Sequence, residues 1–453
     1  MNASNDAPTA SASNRTSAVD PAEGQVAYDL DRAHVFHSWS AQGALKPFVI
    51  AGALGSTLWD YDGKEYLDFS SQLVNMNIGH QHPKVIQAIK DQADVLTMVA
   101  PPHANLARGQ AAQRILAKAG PRFGSVFFTN GGADANENAI RLARLTTGRD
   151  KVLSTYRSYH GNTGAAVVAT GDWRRVPNEY ARGHVHFFGP FAYRSEFWSS
   201  SQEQECERAL HHLERVIQSE GAASIAAILL ETVPGTAGVI VPPPGYLPGV
   251  RGLCNKYDIL LILDEVMCGF GRTGEWFAFD GFGVEPDLIT FAKGVNSGYV
   301  PVGGVVISES IAAAFDTQVF PGGLTYSGHP LATASIVASM DAMDSEGIIE
   351  NARTIGTDHL GPGLAALAER HPIIGEVRGL GVFWALDLVD DPGTRHPVST
   401  AVIGKLKGEL MARGLLPFAA DNRIHVVPPC VVTPDEVARA LAIYDEAFTA
   451  IEG

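Results

Sequence analysis

A lysine that closes an apolar run is poised to work as a neutral amine. Lys293 follows Leu288-Ile-Thr-Phe-Ala292 and precedes Gly294, whereas Lys84, Lys90, Lys151, Lys256 and Lys407 sit among polar residues. Lysine is among the residues least often fully buried. A desolvated amine sheds its proton more readily, which frees it to attack a carbonyl and form a Schiff base. Taken alone, Lys293 reads equally well as a lysine snorkelling at a strand end.

Other chemistry collects behind similar runs. Glu231 ends Ala226–Leu230, and Asp264-Glu265 ends Ile259–Leu263. An apolar run before Asp264 leaves its carboxylate little water, so it needs hydrogen bonds or a partner charge; a structural ion pair would satisfy that too. Asn130-Gly131-Gly132-Ala133-Asp134 follows Ser125–Thr129 and opens a helical pattern. Paired glycines let the backbone approach an anion, and a helix N-terminus adds free N–H donors and a positive dipole. The plain alternative is a tight turn with Asp134 as N-cap. Tyr156-Arg-Ser-Tyr159-His160-Gly161 follows Lys151–Ser154 and brings aromatic rings.

Two spacings mislead. Gly269-Phe-Gly271-Arg-Thr-Gly274 matches GxGxxG, but Asp264 and Glu265 stand between it and its strand, and Glu275-Trp276-Phe277 follows in place of a small-residue helix. A dinucleotide site needs the glycines directly after the strand and no carboxylates facing the pyrophosphate. His80-Gln-His82 and His184-Val-His186 have metal-ligand spacing, yet no HExxH and no clustered third ligand accompanies them. Structural histidines are the favoured reading, and no metal ligand set is expected.

The elements that must position these residues follow from periodicity. Leu58 to Phe69 reads as a hairpin turning at Asp62-Gly63. Helical patterns run from His82-Pro83 to Leu96 and from Asn105 to Ala119. Strand-like runs then alternate with helices: Ser125–Thr129, Lys151–Ser154, Ala165–Ala169, His184–Phe188, Ala226–Leu230, Ile259–Leu263, Leu288–Phe291 and Gly304–Ile307, with helices at Asp134–Thr146, Glu203–Ser219 and Gly249–Tyr257. Continuous apolar strands signal a parallel sheet buried on both faces, and the alternation predicts a doubly wound α/β domain. In such sheets ligands bind beyond the carboxyl ends of the strands, where the glycine turn, the aromatic, the carboxylates and the lysine would all meet. The expected division is a tail over 1–24, an N-terminal segment of a small domain over 25–74, a large domain over 75–328 and the rest of the small domain over 329–453.

At 453 residues the chain exceeds what one core usually supports. Its 45% hydrophobic and 18% charged content is that of an ordinary soluble protein. A net charge of −15 argues against nucleic acid and anionic membranes as partners. No apolar run approaches a membrane span of about 18 residues. Cys206, Cys254, Cys268 and Cys430 form no CxxC pair, which suits a reducing cytoplasm.

The motifs together carry a resemblance. Phe127-Phe-Thr-Asn-Gly131-Gly-Ala-Asp-Ala-Asn136-Glu resembles the phosphate cup of class III aminotransferases. Tyr159-His160-Gly161, Asp264-Glu-Val266 with Gly269-Phe-Gly-Arg272-Thr-Gly274, Lys293-Gly294 and Thr325-Tyr-Ser-Gly-His329-Pro330 resemble further family motifs, in the family's order, from about residue 30 onward. The resemblance implies fold type I architecture, pyridoxal 5'-phosphate as cofactor and a homodimer with shared sites. His34-Val-Phe-His-Ser-Trp39-Ser and Lys293-Gly-Val-Asn-Ser-Gly-Tyr299 look most like pyruvate-using ω-transaminases, including taurine–pyruvate aminotransferases.

Carried over by position, Lys293 would hold the cofactor as an imine and move the substrate proton, while Asp264 would keep the pyridine nitrogen protonated. Tyr159 and Val266 would flank the ring, with His160 and Glu231 beside the cofactor. Gly131, Gly132 and Ala133, with Thr325 of the partner subunit, would hold the phosphate. The cup departs from the family's Ser-Gly-Ser or Ser-Gly-Thr, so its hydroxyl donors are missing. The family's carboxylate-binding arginines also have no counterpart: aligned on Pro428-Pro429, their places hold Phe418 and His425, and Arg423 is the candidate substitute. Trp39 joins these as a substrate-side residue.

These readings predict a cytoplasmic aminotransferase that moves an amino group from an ω-amine or ω-amino acid to a 2-oxo acid, pyruvate foremost. Taurine, β-alanine and simple amines are the candidate donors. A racemase or decarboxylase on the same fold, or a metal-dependent hydrolase built on the HxH pairs, are the alternatives.

Overall fold

The computed structural model describes residues 19–453. The first strands are β1 (Ile50–Leu54), β2 (Thr57–Asp60) and β3 (Glu65–Phe69). β2 and β3 form the expected hairpin, whose turn Asp60 closes by accepting the backbone N–H groups of Asp62 and Lys64. The central strands are β4 (Phe123–Thr129), β5 (Lys151–Thr155), β6 (His184–Phe187), β7 (Ile225–Glu231), β8 (Leu260–Asp264), β9 (Leu288–Phe291) and β10 (Gly303–Ser308). The last are β11 (Ile374–Leu380), β12 (Phe383–Asp391), β13 (His396–Pro397), β14 (Leu415–Ala420) and β15 (Arg423–Val426).

The central strands make one sheet in the order β4-β10-β9-β8-β7-β5-β6. β6, β5, β7, β8 and β9 run parallel, and β10 is antiparallel to both of its neighbours. β4 therefore runs with β9, and the carboxyl ends of β4, β5, β7, β8 and β9 meet at one edge. Leu261 and Leu263 of β8 pack into one core, while Ile262 packs into another beneath the helix Gly132–Thr147. That is the two-residue pleat of a strand covered on both faces.

The second sheet has the order β1-β2-β3-β14-β15-β12-β11, with β13 on β12. Its pairs are antiparallel except β3 with β14, where Leu67 lies against Leu415. The N-terminal hairpin thus completes a sheet whose other strands lie near the C-terminus. The helices Thr400–Ala412 and Pro434–Glu452 pack together, the latter started by a Thr433–Glu436 capping box.

Three features differ from expectation. Ala165–Ala169 lies in a short helix, Gly164–Ala169, and is not a strand. Glu137 Oε2 accepts the N–H groups of Ala165 and Ala166 and the Thr163 hydroxyl, so a carboxylate from a neighbouring helix starts this turn. A short buried apolar run carries no period that would reveal this. The expected tail over 1–24 falls mostly outside the described residues, but a helix already spans Pro21–His34, with Asp20 accepting the N–H of Ala22. The helix Pro330–Ser345, assigned by its sequence to the C-terminal part, packs on the helices Pro83–Val95 and Leu106–Ala119.

Candidate active site

At the shared strand edge a cavity of about 350 Å³ is lined by Gly131, Gly132, Ala133, Tyr159, His160, Glu231, Asp264, Val266 and Lys293. Each had been singled out from sequence. Lys293 is delivered by the end of β9 with φ at +43°, a left-handed backbone that costs a residue bearing a Cβ about 1–3 kcal/mol. Burial lowers its amine's pKa, and the nearby Glu231 and Asp264 carboxylates oppose but do not cancel this. Among the described residues no ion pair engages its Nζ.

Asp264, at the end of β8, is 3% exposed. Its Oδ2 accepts hydrogen bonds from His160 Nδ1 at 2.8 Å and Asn136 Nδ2 at 2.7 Å, and its Oδ1 accepts the Val266 N–H at 3.0 Å. With Nδ1–H committed to the carboxylate, the buried His160 ring is fixed in orientation. Asn136 belongs to the Phe127–Glu137 string, yet nothing in that string marks it as a site residue. Its position in the interior of the helix Gly132–Thr147 gives no local sign that it reaches Asp264.

The glycine turn begins that 16-residue helix, and no side chain caps it. Its first N–H groups are therefore available to an anion. A Cβ on Gly132 would come 2.8 Å from Val266 Cγ1, and one on Gly161, at φ +131°, would come 2.5 Å from Ala133 Cα. At Gly132 and Gly161 the loops pack too closely for a side chain, so this part of the cup is backbone.

Glu231, at the end of β7, accepts the N–H groups of Tyr159 at 2.9 Å and Gly235 at 2.8 Å. Burial raises its pKa. Tyr159 carries a residue that the sequence reading missed: the guanidinium of Arg174 stacks 3.8 Å from the centre of its ring. Arg174 is held by Asp172, and Trp39 stands edge-on to Tyr159 with ring centres 6.4 Å apart. Arg174 lies in an irregular 3₁₀ segment, Trp173–Asn178, where no periodic signal marks it.

The remaining candidates lie off the cavity. Phe418 and His425 face each other across β14 and β15, with ring centres 4.7 Å apart, and Phe418 packs with the core that contains Met267. His425 Nε2 donates to Gly235 O, and burial lowers its pKa to about 3, so it carries no charge for an anion. Arg423 pairs with Asp421 at 2.5 Å. Thr325 is exposed and does not line this chain's cavity.

The HxH pairs diverge. His80 binds Asp68, His82 binds Glu346, His184 contacts Arg144, and His186 faces the carbonyls of Ala169 and Thr170. The GxGxxG segment folds back on itself, with Gly271 N–H donating to Glu275 O, and places Arg272 in the core against the Pro428 carbonyl and Asn77.

The donor set fits pyridoxal phosphate. It offers a desolvated amine for the carbonyl carbon, a buried carboxylate for the ring nitrogen and an uncapped helix N-terminus for the phosphate. Known proteins agree. Residues 39–448 match the family model described as aminotransferase class-III. The taurine–pyruvate aminotransferase of Bilophila wadsworthia is 31% identical over 445 residues, covering 93% of this chain and 97% of that protein. The putrescine–pyruvate aminotransferase of Pseudomonas aeruginosa is 34% identical over 414 residues, covering 87% and 89%. The solved structure of taurine:2-oxoglutarate aminotransferase from Bifidobacterium kashiwanohense, in complex with PLP and glutamate, superposes with a TM-score of 0.92 at 42% identity, covering 95% of this chain and 98% of that one. By sequence, fold and site chemistry, this chain belongs to the class III aminotransferases, enzymes that use pyridoxal phosphate to pass an amino group to a keto acid.

Proposed function

We propose that this enzyme takes its amino group from a small ω-amino acid of the taurine type and passes it to pyruvate. The donor reading is carried by the cavity with its desolvated Lys293 amine and by the taurine-using relatives; Arg174, on the face of Tyr159 beside Trp39 and paired with Asp172, is the candidate cation for an acid group. An acid group at the far end of a donor would have to take the place of Asp172 to meet that guanidinium. The names of the taurine-using relatives support the same class.

Bound pyridoxal phosphate supplies an electron sink for the pair left when the donor's C–H bond breaks. Lys293 would anchor the cofactor and carry the proton released at that carbon. Asp264, which accepts from His160, would keep a proton on the ring nitrogen. Tyr159 and Val266 line the cavity and would flank the ring, while Glu231 fixes the loops at Tyr159 and Gly235.

The homodimer is part of the proposal. Thr325 is exposed on its own chain, and Arg108 ties the Thr325–Gly328 turn to Pro101 and His103 through their carbonyls and that of Gly328. The exposed Val95, Met98, Leu106 and Tyr326 in these segments are apolar surface suited to a second copy. The partner's phosphate contact would then come from Thr325. Thr325→Ala is expected to raise the cofactor dissociation constant about tenfold, the loss of one charge-assisted hydrogen bond. Ala133→Ser, which restores a hydroxyl to the cup, should lower it. Titrating cofactor into each apo variant checks both, and no change in either would place the phosphate elsewhere.

Residues 25–74 and 329–453 are proposed as the small domain around the second sheet and 75–328 as the large one, with the helix Pro330–Ser345 of the C-terminal part lying against the large one. No helix among the described residues is long and apolar enough to cross a membrane. A cytoplasmic location is proposed on the free state of Cys206, Cys254, Cys268 and Cys430.

For the acceptor, the relatives named for pyruvate support a monocarboxylate; among the described residues no arginine lines the cavity, and burying a second carboxylate without a paired cation costs several kcal/mol. Pyruvate is therefore expected to exceed 2-oxoglutarate about a hundredfold in kcat/KM. The second reading, 2-oxoglutarate, is favoured by the 42% identical structure named for that acceptor. A matrix of taurine, β-alanine and an uncharged alkylamine against both acceptors tests the proposal. Arg174→Ala should raise KM for taurine about tenfold to a hundredfold and leave the alkylamine unchanged. An unaltered taurine KM would remove Arg174 from the donor site, and equal specificity for the two acceptors would remove the pyruvate assignment.

A further inference from the structure

We propose that Asn136 is the residue that aims the Asp264 carboxylate, and that Thr290 locks it in that role; this rests on the reading that Asp264 faces the ring nitrogen. Asparagine is a poor helix former, and a buried amide is costly without partners. Asn136 nevertheless sits inside the helix Gly132–Thr147 at 1% exposure. Its partners explain it. Nδ2 donates to Asp264 Oδ2 at 2.7 Å and to the His160 carbonyl at 2.8 Å, and Oδ1 accepts from the Thr290 hydroxyl at 2.8 Å.

The amide can stand only this way round. Turned over, Oδ1 would face a carboxylate and a carbonyl, both acceptors. Thr290 has no freedom to drift, because it is Asp264's partner in the β8–β9 register and is fully buried. The consequence falls on Asp264. Its Oδ2 takes two side-chain donors, from Asn136 and His160, while Oδ1 takes only the Val266 N–H. Oδ1 is left with an open lone pair, which makes it the oxygen that would face the ring nitrogen. An apolar residue at 136 would leave Oδ2 to His160 alone and loosen the carboxylate's orientation about its Cβ–Cγ bond.

The test compares Asn136→Ala, Thr290→Val and Asp264→Asn as holoenzymes with taurine and pyruvate. In Asn136→Ala, kcat should fall about tenfold to a hundredfold, the loss of one hydrogen bond to a charged group, with the amine KM changed by no more than about twofold. The visible absorbance band of the resting holoenzyme should shift in the same direction as in Asp264→Asn. Thr290→Val, which keeps its shape and loses only the hydroxyl, should reproduce both changes at smaller size. Apo-protein melting serves as the control for folding. Wild-type kcat and an unmoved band in Asn136→Ala would overturn the proposal. So would losses in Asn136→Ala that track its melting temperature while Thr290→Val behaves as wild type in both readouts. Should Asn136→Ala not fold, Thr290→Val decides alone: changed band and kcat support the proposal, unchanged values overturn it. Full activity in Asp264→Asn would instead refute the reading of Asp264 itself.

Discussion

Lys293→Ala is expected to lose turnover by about 10⁴-fold or more, while its fold and its capacity to take up cofactor non-covalently survive. The size follows from what the amine does. A positioned general base contributes roughly 10²–10⁴-fold, and the same nitrogen is the covalent anchor. No other lysine lines the cavity. Burial lowers the pKa of the Lys293 amine, although Glu231 and Asp264 pull toward the charged form. The left-handed backbone at Lys293 has no local cause in Ala292 or Gly294 and is maintained by the packing around it. Borohydride reduction of the yellow holoenzyme, followed by peptide mapping, checks the assignment. Cofactor fixed to any other lysine would show that the amine is misidentified.

Asp264→Asn should slow turnover about a thousandfold or more with little change in amine KM. Opposite charges about 3 Å apart at an effective dielectric near 20 attract by roughly 5 kcal/mol, and losing most of that from a carbanion-like transition state gives a factor of this size. Asparagine fills the same volume, so the fold is preserved. His160 Nδ1–H and Asn136 Nδ2–H would then meet an amide in place of a carboxylate, and the network they form would lose its central charge. Comparing kcat and KM separately is the decisive measurement. A variant with near-normal kcat would mean that the ring nitrogen needs no counter-charge in this enzyme.

Lys293, Asp264, Glu231, Tyr159 and the glycine turn were legible because each follows an apolar strand, and a parallel sheet gathers its strand ends at one edge. Arg174 and Asn136 were not. Arg174 sits in an irregular segment and earns its place by stacking on a ring, a relation that spacing does not encode. Spacing to Pro428-Pro429 points to Phe418, His425 and Arg423, but β15 turns His425 toward Gly235 and Arg423 toward Asp421.

The sequence by itself determined the alternation of strands and helices, the buried two-faced character of β7 and β8, and the identity of the amine and carboxylate, because pleat, helical period and turn chemistry act over a few residues. Only the tertiary structure decided that β3 pairs with β14 to join the two ends of the chain, and that Ala165–Ala169 forms a helix started by Glu137. It also decided that Asn136 meets Asp264 across 128 positions. Such meetings depend on sheet register and helix phase acting together, and those are set by the packing of the whole core and not by any local run of residues.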